Sequence, residues 1–434
     1  MNSLYESKVD FEALARQDAE FRKFLSTKGQ INFQDPNAVR QLTASLLHRD
    51  FGLDIDLPDD RLCPPVPNRF NYIRWIQDLI DCTSPEYHEG YDPNRDIAGL
   101  DIGTGASCIY PLLGVSGREK WRFVATDIDE KNLHYSRKNV SNNRLDSRIR
   151  IIDVTPQDSL IPLGTKIPLN SLDFTMCNPP FYESQDEMSK SAKEKQEPPL
   201  SACTGAPVEM VTPGGEVAFI TRMIQDSCRL GEAVQWYSSM VGKRSSVFQI
   251  VEELHRVENK NWAVTEFIQG EKTRRWAIAW SWKDLKPTMA IARGISNIPK
   301  HYLPFPSEFI INQSYSSIDS LIKVINCELE SLNILWKWND KTSAGIGFAM
   351  NNAWSRHARR QRQQAIKTGG VNESGKGDFY RDQATFGFTI RVRRLSVERI
   401  DVHIRWVKGV DAVLFESFYG MLKRKLEESA EKEA

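Results

Sequence analysis

The chain has few cysteines, and no two of them form a metal-binding or disulfide pattern. It carries Cys63, Cys82, Cys108, Cys177, Cys203, Cys228 and Cys327. Their number is odd, their spacing is irregular, and no Cys-x-x-Cys pair occurs. This usage indicates neither a zinc site nor a disulfide framework, so we expect reduced thiols that are mostly buried.

Long apolar stretches are also missing. No run approaches the ~20 residues that a membrane-spanning helix needs, and residues 1–21 lack the apolar core of a secretory signal. The chain nevertheless has 434 residues, of which 40% are hydrophobic, enough for roughly two or three domains with buried cores. We expect a soluble globular protein that stays inside the cell and has no membrane partner.

A net charge is absent as well, yet the charges are unevenly distributed. Lys and Arg number 57, as do Asp and Glu. Residues 50–101 contain 12 acids and 4 Lys or Arg, a balance of −8, whereas residues 354–408 contain 13 Lys or Arg and 5 acids, a balance of +8. The basic segment is typical of a polyanion-binding surface, and the alternative is an ordinary solvated face.

The N-terminal part has the pattern of capped helices. FEALARQDAEFRKFL, residues 11–25, has apolar positions at helical spacing. In the next segment Asp35 is a predicted N-cap, Pro36 stands in the first turn and Gly52 is a stop signal. RFNYIRWIQDLI, residues 69–80, predicts another amphipathic helix, and a polar stretch at 83–96 follows it.

Beyond this stretch, an apolar strand runs into a glycine-rich turn in DIAGLDIGTGASCIYPLLG, residues 96–114. Gly103 and Gly105 allow the backbone to turn sharply and to approach a ligand closely. The third glycine of the dinucleotide fingerprint is missing, which favours a smaller adenosyl ligand over a pyrophosphate. Asp127 ends the next predicted strand, where an acid can accept both hydroxyls of a ribose.

Further strands are predicted downstream. RIRIIDVTPQDS, residues 148–159, predicts a third strand with its loop, and SLDFTMCNPPF, residues 171–181, predicts a fourth. GGEVAFITRMIQDS, residues 214–227, is interpreted as a fifth strand with its helix. Strands alternating with helices in this way are the parts of an S-adenosylmethionine-dependent methyltransferase sheet.

The fourth strand ends in CNPPFYES, residues 177–184. Pro179 and Pro180 are incompatible with a helix and with a strand ladder, so a stiff loop follows the strand. This loop presents Asn178, Phe181 and Tyr182 where ligands bind in open α/β sheets. Taken alone, Asn-Pro is also a common turn opener.

Together, DIGTGASCIYPLLG, Asp127, MCNPPF and FIQGEKTRRWAIAWS resemble the methyltransferase-like protein 16 family, which N6-methylates adenosine in U6 small nuclear RNA. The match extends through residues 31–58 and 66–80 and weakly into the C-terminal IRWVKGV, so it covers most of the chain. A long disordered insert of the vertebrate members is missing, which suggests a non-vertebrate member. The resemblance implies S-adenosylmethionine as cofactor, structured RNA as partner and a nuclear location. Messenger RNA hairpins as further substrates, and a cytoplasmic pool, remain open.

The resemblance also assigns the chemistry of the Asn-Pro-Pro-Phe box. An adenine N6 lone pair is delocalised into the ring, so the amine must be held by acceptors and turned toward the methyl group. We expect the Asn178 side-chain oxygen and the Pro179 carbonyl to accept the two N6 hydrogens, so that catalysis is mostly positioning. Pro180 completes the catalytic box, Phe181 stacks on the flipped base, and Tyr182 braces it. No metal is expected.

Six residues are implied at the cofactor, and nine at the RNA. The cofactor residues are Arg69, Gly103, Ser107, Asp127, Ser159 and Asn178. Arg69 is assigned to the methionine carboxylate, the alternative being a surface salt bridge, and Ser159 to the adenine, although its PQDS loop departs from the family pattern. The RNA residues are Tyr182, Lys272, Arg274, Arg275, Arg359, Arg360, Arg391, Arg393 and Arg405. Residues 184–205 are almost free of large apolar side chains and predict a mobile loop.

Arg359 and Arg360 stand on a helix predicted in AWSRHARRQRQQAIK, residues 353–367, whereas the other C-terminal arginines follow from strand alternation. FGFTIRVRR and RIDVHIRWV each place apolar residues on one face and Arg391, Arg393, His403 and Arg405 on the other, which predicts a hairpin with one basic face. A helix with a buried stripe from Leu414 to Leu426 follows. This part therefore predicts a small α+β RNA-binding domain.

The predicted fold class is α/β: a Rossmann-like class I S-adenosylmethionine-dependent methyltransferase sheet with an N-terminal helical extension and a C-terminal α+β RNA-binding domain. The expected domains are residues 1–82, which support RNA and cofactor binding, 83–285, which are catalytic, and 286–434, which bind RNA. Two alternatives to an RNA adenosine N6-methyltransferase remain, a protein glutamine-N5 methyltransferase and a non-catalytic RNA-binding splicing factor. Phe181 in place of tyrosine argues against the first, and the intact Asp127 and Asn178 argue against the second.

Overall fold

Residues 4–5, 8–188, 205–269, 273–313, 317–367, 381–396 and 399–433 are described by a computed structural model. The chain divides into two units. The first comprises residues 1–81, 89–283 and 293–303, and the second comprises residues 82–88, 284–292 and 304–434. None of the helices in the described ranges has an apolar stretch long enough to cross a lipid bilayer.

The N-terminal helices are α1 (Phe11–Gln17), α2 (Ala19–Arg22), α3 (Pro36–Phe51) and α4 (Val66–Cys82). The single helix predicted for residues 11–25 is wrong, because Asp18 is extended and its carboxylate accepts from the backbone N–H groups of Glu20 and Phe21. An aspartate in this conformation begins a new helix. The boundaries of α3 are confirmed: the Asp35 side chain caps its start, and Gly52, at φ +65°, ends it.

An eight-stranded sheet lies at the centre of the first unit. Its strands are β1 (Ile97–Ile102), β2 (Trp121–Asp127), β3 (Ile149–Asp153), β4 (Leu172–Cys177), β5 (Val234–Val241), β6 (Trp262–Gln269), β7 (Thr273–Trp280) and β8 (Arg293–Gly294), in the order β3-β2-β1-β4-β5-β7-β6-β8. The first five strands of this order run parallel to one another, and β7 is antiparallel to both β5 and β6. The strand order reverses at β1, so the carboxyl ends of β1, β2 and β4 meet where ligands bind in such sheets.

The helices of this sheet are α5 (Ile109–Ser116), α6 (Glu130–Asn142), α7 (Pro207–Met210), α8 (Gly215–Leu230) and α9 (Arg244–Arg256). The fifth strand predicted within residues 214–227 is wrong, because α8 occupies that segment. Its buried Ile220, Met223, Ile224 and Ser227 recur at helical spacing, which outweighs the short apolar run. The fifth strand is β5, where all eight residues are buried.

The second unit contains a five-stranded antiparallel sheet. Its strands are β9 (Glu308–Gln313), β10 (Leu335–Asn339), β11 (Ala344–Ala349), β12 (Phe386–Arg394) and β13 (Ile400–Lys408), in the order β10-β11-β12-β13-β9. The helices are α10 (Met289–Ala292), α11 (Ile318–Glu330), α12 (Arg356–Lys367) and α13 (Ala412–Glu433). The predicted α+β arrangement of the C-terminal part is therefore confirmed.

The predicted alternation along β12 and β13 is also confirmed. Phe386, Phe388 and Ile390 are fully buried in one core with side chains of α11 and α13. Arg391 and Arg393 alternate with them and lie on the opposite face of the sheet, where Arg393 is exposed. One face of this sheet is therefore packed, and the other carries basic side chains.

Candidate functional site

The turn after β1 depends on its two glycines. Gly103 has φ +71° and Gly105 has φ +65°, in the left-handed region that favours glycine. The Thr104 N–H donates to the Thr126 carbonyl at 2.9 Å, and the Gly105 N–H donates to Asp127 Oδ2 at 2.8 Å. The predicted glycine turn and the predicted acid at the end of β2 are thus in direct contact.

Asp127 is 6% exposed and is surrounded by donors. Its Oδ1 accepts from the Asp129 N–H at 3.0 Å and from Asn132 Nδ2 at 3.3 Å. Burial raises the pKa of the Asp127 carboxyl, and the hydrogen bonds from the Asp129 and Gly105 N–H groups oppose that increase. The Asp127 carboxylate therefore joins the glycine turn to the start of α6.

A second carboxylate, missed by the sequence analysis, lies in β1. Asp101 is fully buried, and neither of its oxygens has a hydrogen-bond partner among the described residues. Burial raises the pKa of Asp101 to about 7; the Thr104 hydroxyl, which is nearby but outside hydrogen-bonding geometry, opposes the increase. Because a buried polar group without a partner is costly, this end of the sheet fits a ligand that brings a cation or hydrogen-bond donors, as the ammonium group of S-adenosylmethionine does. The only sequence signal was its place two residues before Gly103.

Arg69 of α4 joins the cofactor residues to the Asn-Pro-Pro-Phe box. Its guanidinium Nη1 donates to Asn178 Oδ1 and to the Tyr110 hydroxyl, both at 2.6 Å. Arg69 is 7% exposed, and its Nε has no partner among the described residues. The alternative interpretation of Arg69 as a surface salt bridge is therefore wrong. Tyr110, which follows the glycine turn, was not predicted at the site.

The loop after Asn178 is fixed by its neighbours in the first unit. The Tyr182 N–H donates to the Met210 carbonyl at 3.0 Å, and the Tyr182 carbonyl accepts from the Thr212 N–H at 2.9 Å. Residues 210–212 form the end of α7 and the start of the short loop that leads to α8. The two stiff prolines and this short backbone pairing hold Phe181 and Tyr182 at the end of β4.

Phe181 packs against the loop that follows β5. A Cβ atom built on Gly242 would lie 2.7 Å from Phe181 Cδ1, so only glycine leaves room for this ring. The buried Glu216 carboxylate accepts from the N–H groups of Gly242 at 2.6 Å and Lys243 at 3.1 Å and thereby fixes the loop. The Arg275 guanidinium lies 5.9 Å from the centre of the Phe181 ring. Arg275 was predicted from the sequence, whereas Glu216 and Gly242 were not, because no motif marks them.

The remaining predicted residues of the first unit lie in different surroundings. Ser107 is buried just after the glycine turn. Ser159 donates to Asp226 Oδ2 at 2.8 Å and lines a polar cavity of about 310 Å³ together with Arg222. Arg274 pairs with Glu266 at 3.0 Å. Lys272 and most of the loop predicted for residues 184–205 lie outside the described residues.

In the second unit, the predicted RNA residues are divided between α12 and the sheet. Arg359 and Arg360 lie on α12, where Arg360 is exposed. Arg391 and Arg393 lie on the open face of β12. Arg405 is half-buried, and its Nη2 donates to the Cys82 carbonyl at 2.6 Å. No group of three or more His, Cys, Asp or Glu side chains suited to a metal ion occurs in the described part of the chain.

Comparisons with known proteins identify the family of the chain. A family model described as RNA methyltransferase matches residues 2–284. The U6 small nuclear RNA (adenine-(43)-N(6))-methyltransferase of Schizosaccharomyces pombe is 34% identical over 406 residues, which are 92% of this chain and 96% of that protein. The human RNA N(6)-adenosine-methyltransferase METTL16 is 42% identical over 290 residues. The matched residues make up 65% of this chain and 50% of that protein.

Two solved structures of the human protein are similar to the first part of the chain. The catalytic domain in complex with the MAT2A 3'UTR hairpin 1 aligns with a TM-score of 0.57 at 40% identity, over 64% of this chain and 93% of that one. The N-terminal domain in complex with SAH aligns with a TM-score of 0.54 at 38% identity, over 65% of this chain and 98% of that one. The family resemblance and the α/β methyltransferase fold predicted from the motifs are confirmed.

Proposed function

Because the chain belongs to the RNA methyltransferase family, we propose that it methylates the N6 amine of an adenosine in structured RNA. U6 small nuclear RNA is the proposed substrate, since the relative that this chain spans almost completely is named for methylating an adenine of that RNA. A U6 substrate implies a role in RNA processing, and with it a nuclear location. The observation that carries the proposal is the contact of Arg69 with Asn178 at the end of β4.

S-adenosylmethionine is the proposed cofactor, and when bound it supplies an electrophilic methyl group. The turn at Gly103 and Gly105 brings backbone close to the ligand, with Ser107 beside it, and Asp127 accepts from a ribose hydroxyl. Arg69 has the charge and the donors to hold the methionine carboxylate. The unpaired carboxylate of Asp101 fits the ammonium group of the same methionine. Ser159 is proposed to contact the adenine of the cofactor. Its hydroxyl donates to Asp226 in the structure.

Arg69 also orients the amide that receives the base. A guanidinium only donates hydrogen bonds, so its contact requires that the oxygen, and not the nitrogen, of the Asn178 amide faces inward. A carbonyl oxygen has two lone pairs, so Asn178 Oδ1 accepts one N6 hydrogen while it keeps the bond from Arg69. The Pro179 carbonyl accepts the other hydrogen. The chain thereby holds the N6 nitrogen toward the methyl donor, and this positioning is its main catalytic contribution.

Phe181 and Arg275 form the proposed base platform. An aromatic face at the end of β4 stacks on a flipped-out adenine, and base stacking of this kind contributes about 1–3 kcal/mol. The Arg275 guanidinium near that ring provides positive charge where the RNA backbone enters. Tyr182, Arg274 and Lys272 are the further proposed RNA contacts of the first unit.

The proposed RNA-binding surface of the second unit consists of α12 and the open sheet face. Arg359 and Arg360 belong to the helix, and Arg391 and Arg393 to the sheet; Arg405 is assigned there as well. Contacts of arginine with phosphate position RNA without reading its bases, so sequence choice remains with the first unit. A stem-loop substrate is supported by the hairpin bound to the human catalytic domain.

The proposed function is tested by methyl transfer from tritiated S-adenosylmethionine to total RNA and to total protein in parallel. The expected result is label in RNA that is recovered as N6-methyladenosine after digestion to nucleosides. Label in protein glutamine would instead support the glutamine-N5 alternative. RNA binding without any transfer of label would support the non-catalytic splicing factor.

A further inference from the structure

Glu209 of α7 joins two segments that border the glycine turn. Its Oε2 accepts from the Ala206 N–H and from the Leu62 N–H, both at 2.9 Å. Ala206 immediately precedes α7, and Leu62 lies shortly before α4, the helix that carries Arg69. One oxygen of this carboxylate is therefore used by the protein backbone.

The other oxygen of Glu209 faces the glycine turn. Glu209 Oε1 is 3.6 Å from the position that a Cβ atom of Gly105 would occupy. Among the described residues, no other heavy atom outside the adjoining chain lies within 4 Å of that position, and none lies within 4 Å of the equivalent position at Gly103. The space above the turn is thus open, and Glu209 Oε1 is at its border.

Glu209 and Asp127 flank the same residue. Asp127 Oδ2 accepts from the Gly105 N–H, while Glu209 Oε1 faces the Gly105 α-carbon. Burial raises the pKa of Glu209, and the neighbouring charge of Asp127 contributes to the increase, so the two carboxylates are close enough to interact. The charge of Arg61 acts on Glu209, and the Arg61 guanidinium donates to Asp129 at 2.9 Å. Two partly buried acids are therefore held at one turn.

We propose that Glu209 is a ribose-binding residue, a second acceptor that takes one hydroxyl of the S-adenosylmethionine ribose while Asp127 takes the other. The inference rests on the proposed function, which supplies the cofactor. Three donors of the protein, the N–H groups of Gly105 and Asp129 and the amide of Asn132, already use the Asp127 carboxylate. A vicinal diol presents two donors, and Glu209 Oε1 supplies an acceptor for the second one.

The test is calorimetric titration of the full chain with S-adenosylhomocysteine and with its 2′-deoxy and 3′-deoxy analogues. E209Q keeps an amide oxygen for the N–H groups of Ala206 and Leu62 but replaces the second acceptor with a donor. We expect E209Q to bind S-adenosylhomocysteine about tenfold more weakly than the wild type. For the analogue that lacks the hydroxyl bound by Glu209, the affinities of the wild type and of E209Q should agree within about twofold. The substitution and the missing hydroxyl remove the same hydrogen bond, so together they form a double-mutant cycle.

The controls separate this assignment from a structural role and from the proposed function. E232Q changes an exposed glutamate and should bind like the wild type. Equal losses for E209Q with all three ligands, or no loss with any, would overturn the ribose assignment. If E209Q unfolds, E209D, which keeps the charge but withdraws it by one methylene, is titrated in the same way. A wild-type chain that binds none of the three ligands would overturn the proposed function itself.

Discussion

Arg69 donates a hydrogen bond from Nη1 to Asn178 Oδ1 at 2.6 Å, although the two residues are 109 positions apart in the sequence. The same guanidinium is the proposed partner of the methionine carboxylate. Cofactor binding and base orientation therefore depend on one buried cation. This relationship explains why an arginine on an N-terminal helix belongs to the active site.

Substitution of Arg69 by lysine should impair both cofactor binding and the orientation of the base. An ammonium group is a single donor centre on a flexible stem, so it does not reproduce a planar guanidinium that contacts two partners. We expect R69K to lower cofactor affinity and the methyl-transfer rate by about tenfold or more each. Calorimetry with S-adenosylhomocysteine and a single-turnover assay measure the two effects. The exposed Arg137 of α6 provides the control, R137K, and wild-type behaviour of R69K would contradict the assigned role.

Removal of the Asn178 amide should abolish methyl transfer while RNA affinity stays within a few-fold. The amide acts on the reacting amine, whereas affinity comes mainly from phosphate contacts. Gel-shift titration and a methylation assay on the same RNA hairpin measure the two quantities. N142A, at the exposed end of α6, is the matched control. A folded N178A protein that loses RNA binding together with activity would show that Asn178 has another role.

The Gly242 contact predicts a defect that is confined to the base pocket. An added Cβ would lie 2.7 Å from the Phe181 ring, so G242A must displace that ring. We expect a reduced methylation rate with unchanged affinity for S-adenosylhomocysteine. G420A adds the same methyl group in α13, where no atom of the described residues outside the backbone of that helix lies within 4 Å, and should leave activity unchanged. A fully active G242A protein would mean that the position of Phe181 does not matter.

The local patterns predicted most of the elements, and the long-range contacts could not be predicted. Asp35, Gly52 and the alternation along β12 depend on neighbours in sequence, so capping rules and strand period identified them. Helix α8 was misread as a strand because a short apolar run fits either period. The contacts of Gly242 with Phe181 and of Glu209 with Leu62 join segments that no spacing rule connects.

The buried Asp101 predicts a pH-dependent stability. Its pKa of about 7 in the folded chain lies above the ordinary value of about 4, so the folded chain keeps a proton that the unfolded chain releases. The free energy of unfolding of the wild type, relative to D101N, should therefore fall as the pH rises from about 4 to about 7. Urea denaturation across this range measures it, with the exposed D146N as control. Parallel pH profiles of wild type and D101N would contradict the buried protonated acid.

The basic surface of the second unit predicts a salt-dependent contribution to RNA binding. Arg360 of α12 and Arg393 of β12 are exposed, so each is available to a phosphate. Log affinity decreases with log salt concentration. For R360A and R393A in the full chain, we expect this slope to become less steep by about 0.7 to 0.9 for each phosphate that the protein no longer neutralises. Lys323 lies on α11, which packs against the buried face of the same sheet, so K323A should keep the wild-type slope. Unchanged slopes for both arginine variants would make this surface an ordinary solvated face.

The Asn-Pro-Pro-Phe box is proposed to position the exocyclic amine of one RNA adenine. The most direct measurement compares methyl incorporation into two synthetic U6 RNAs, one with adenine and one with purine at the position that the Schizosaccharomyces pombe relative is named for methylating. Purine keeps the ring but lacks the amine. The expected result is N6-methyladenosine in the first RNA and no incorporation in the second. Equal incorporation into both RNAs would contradict it.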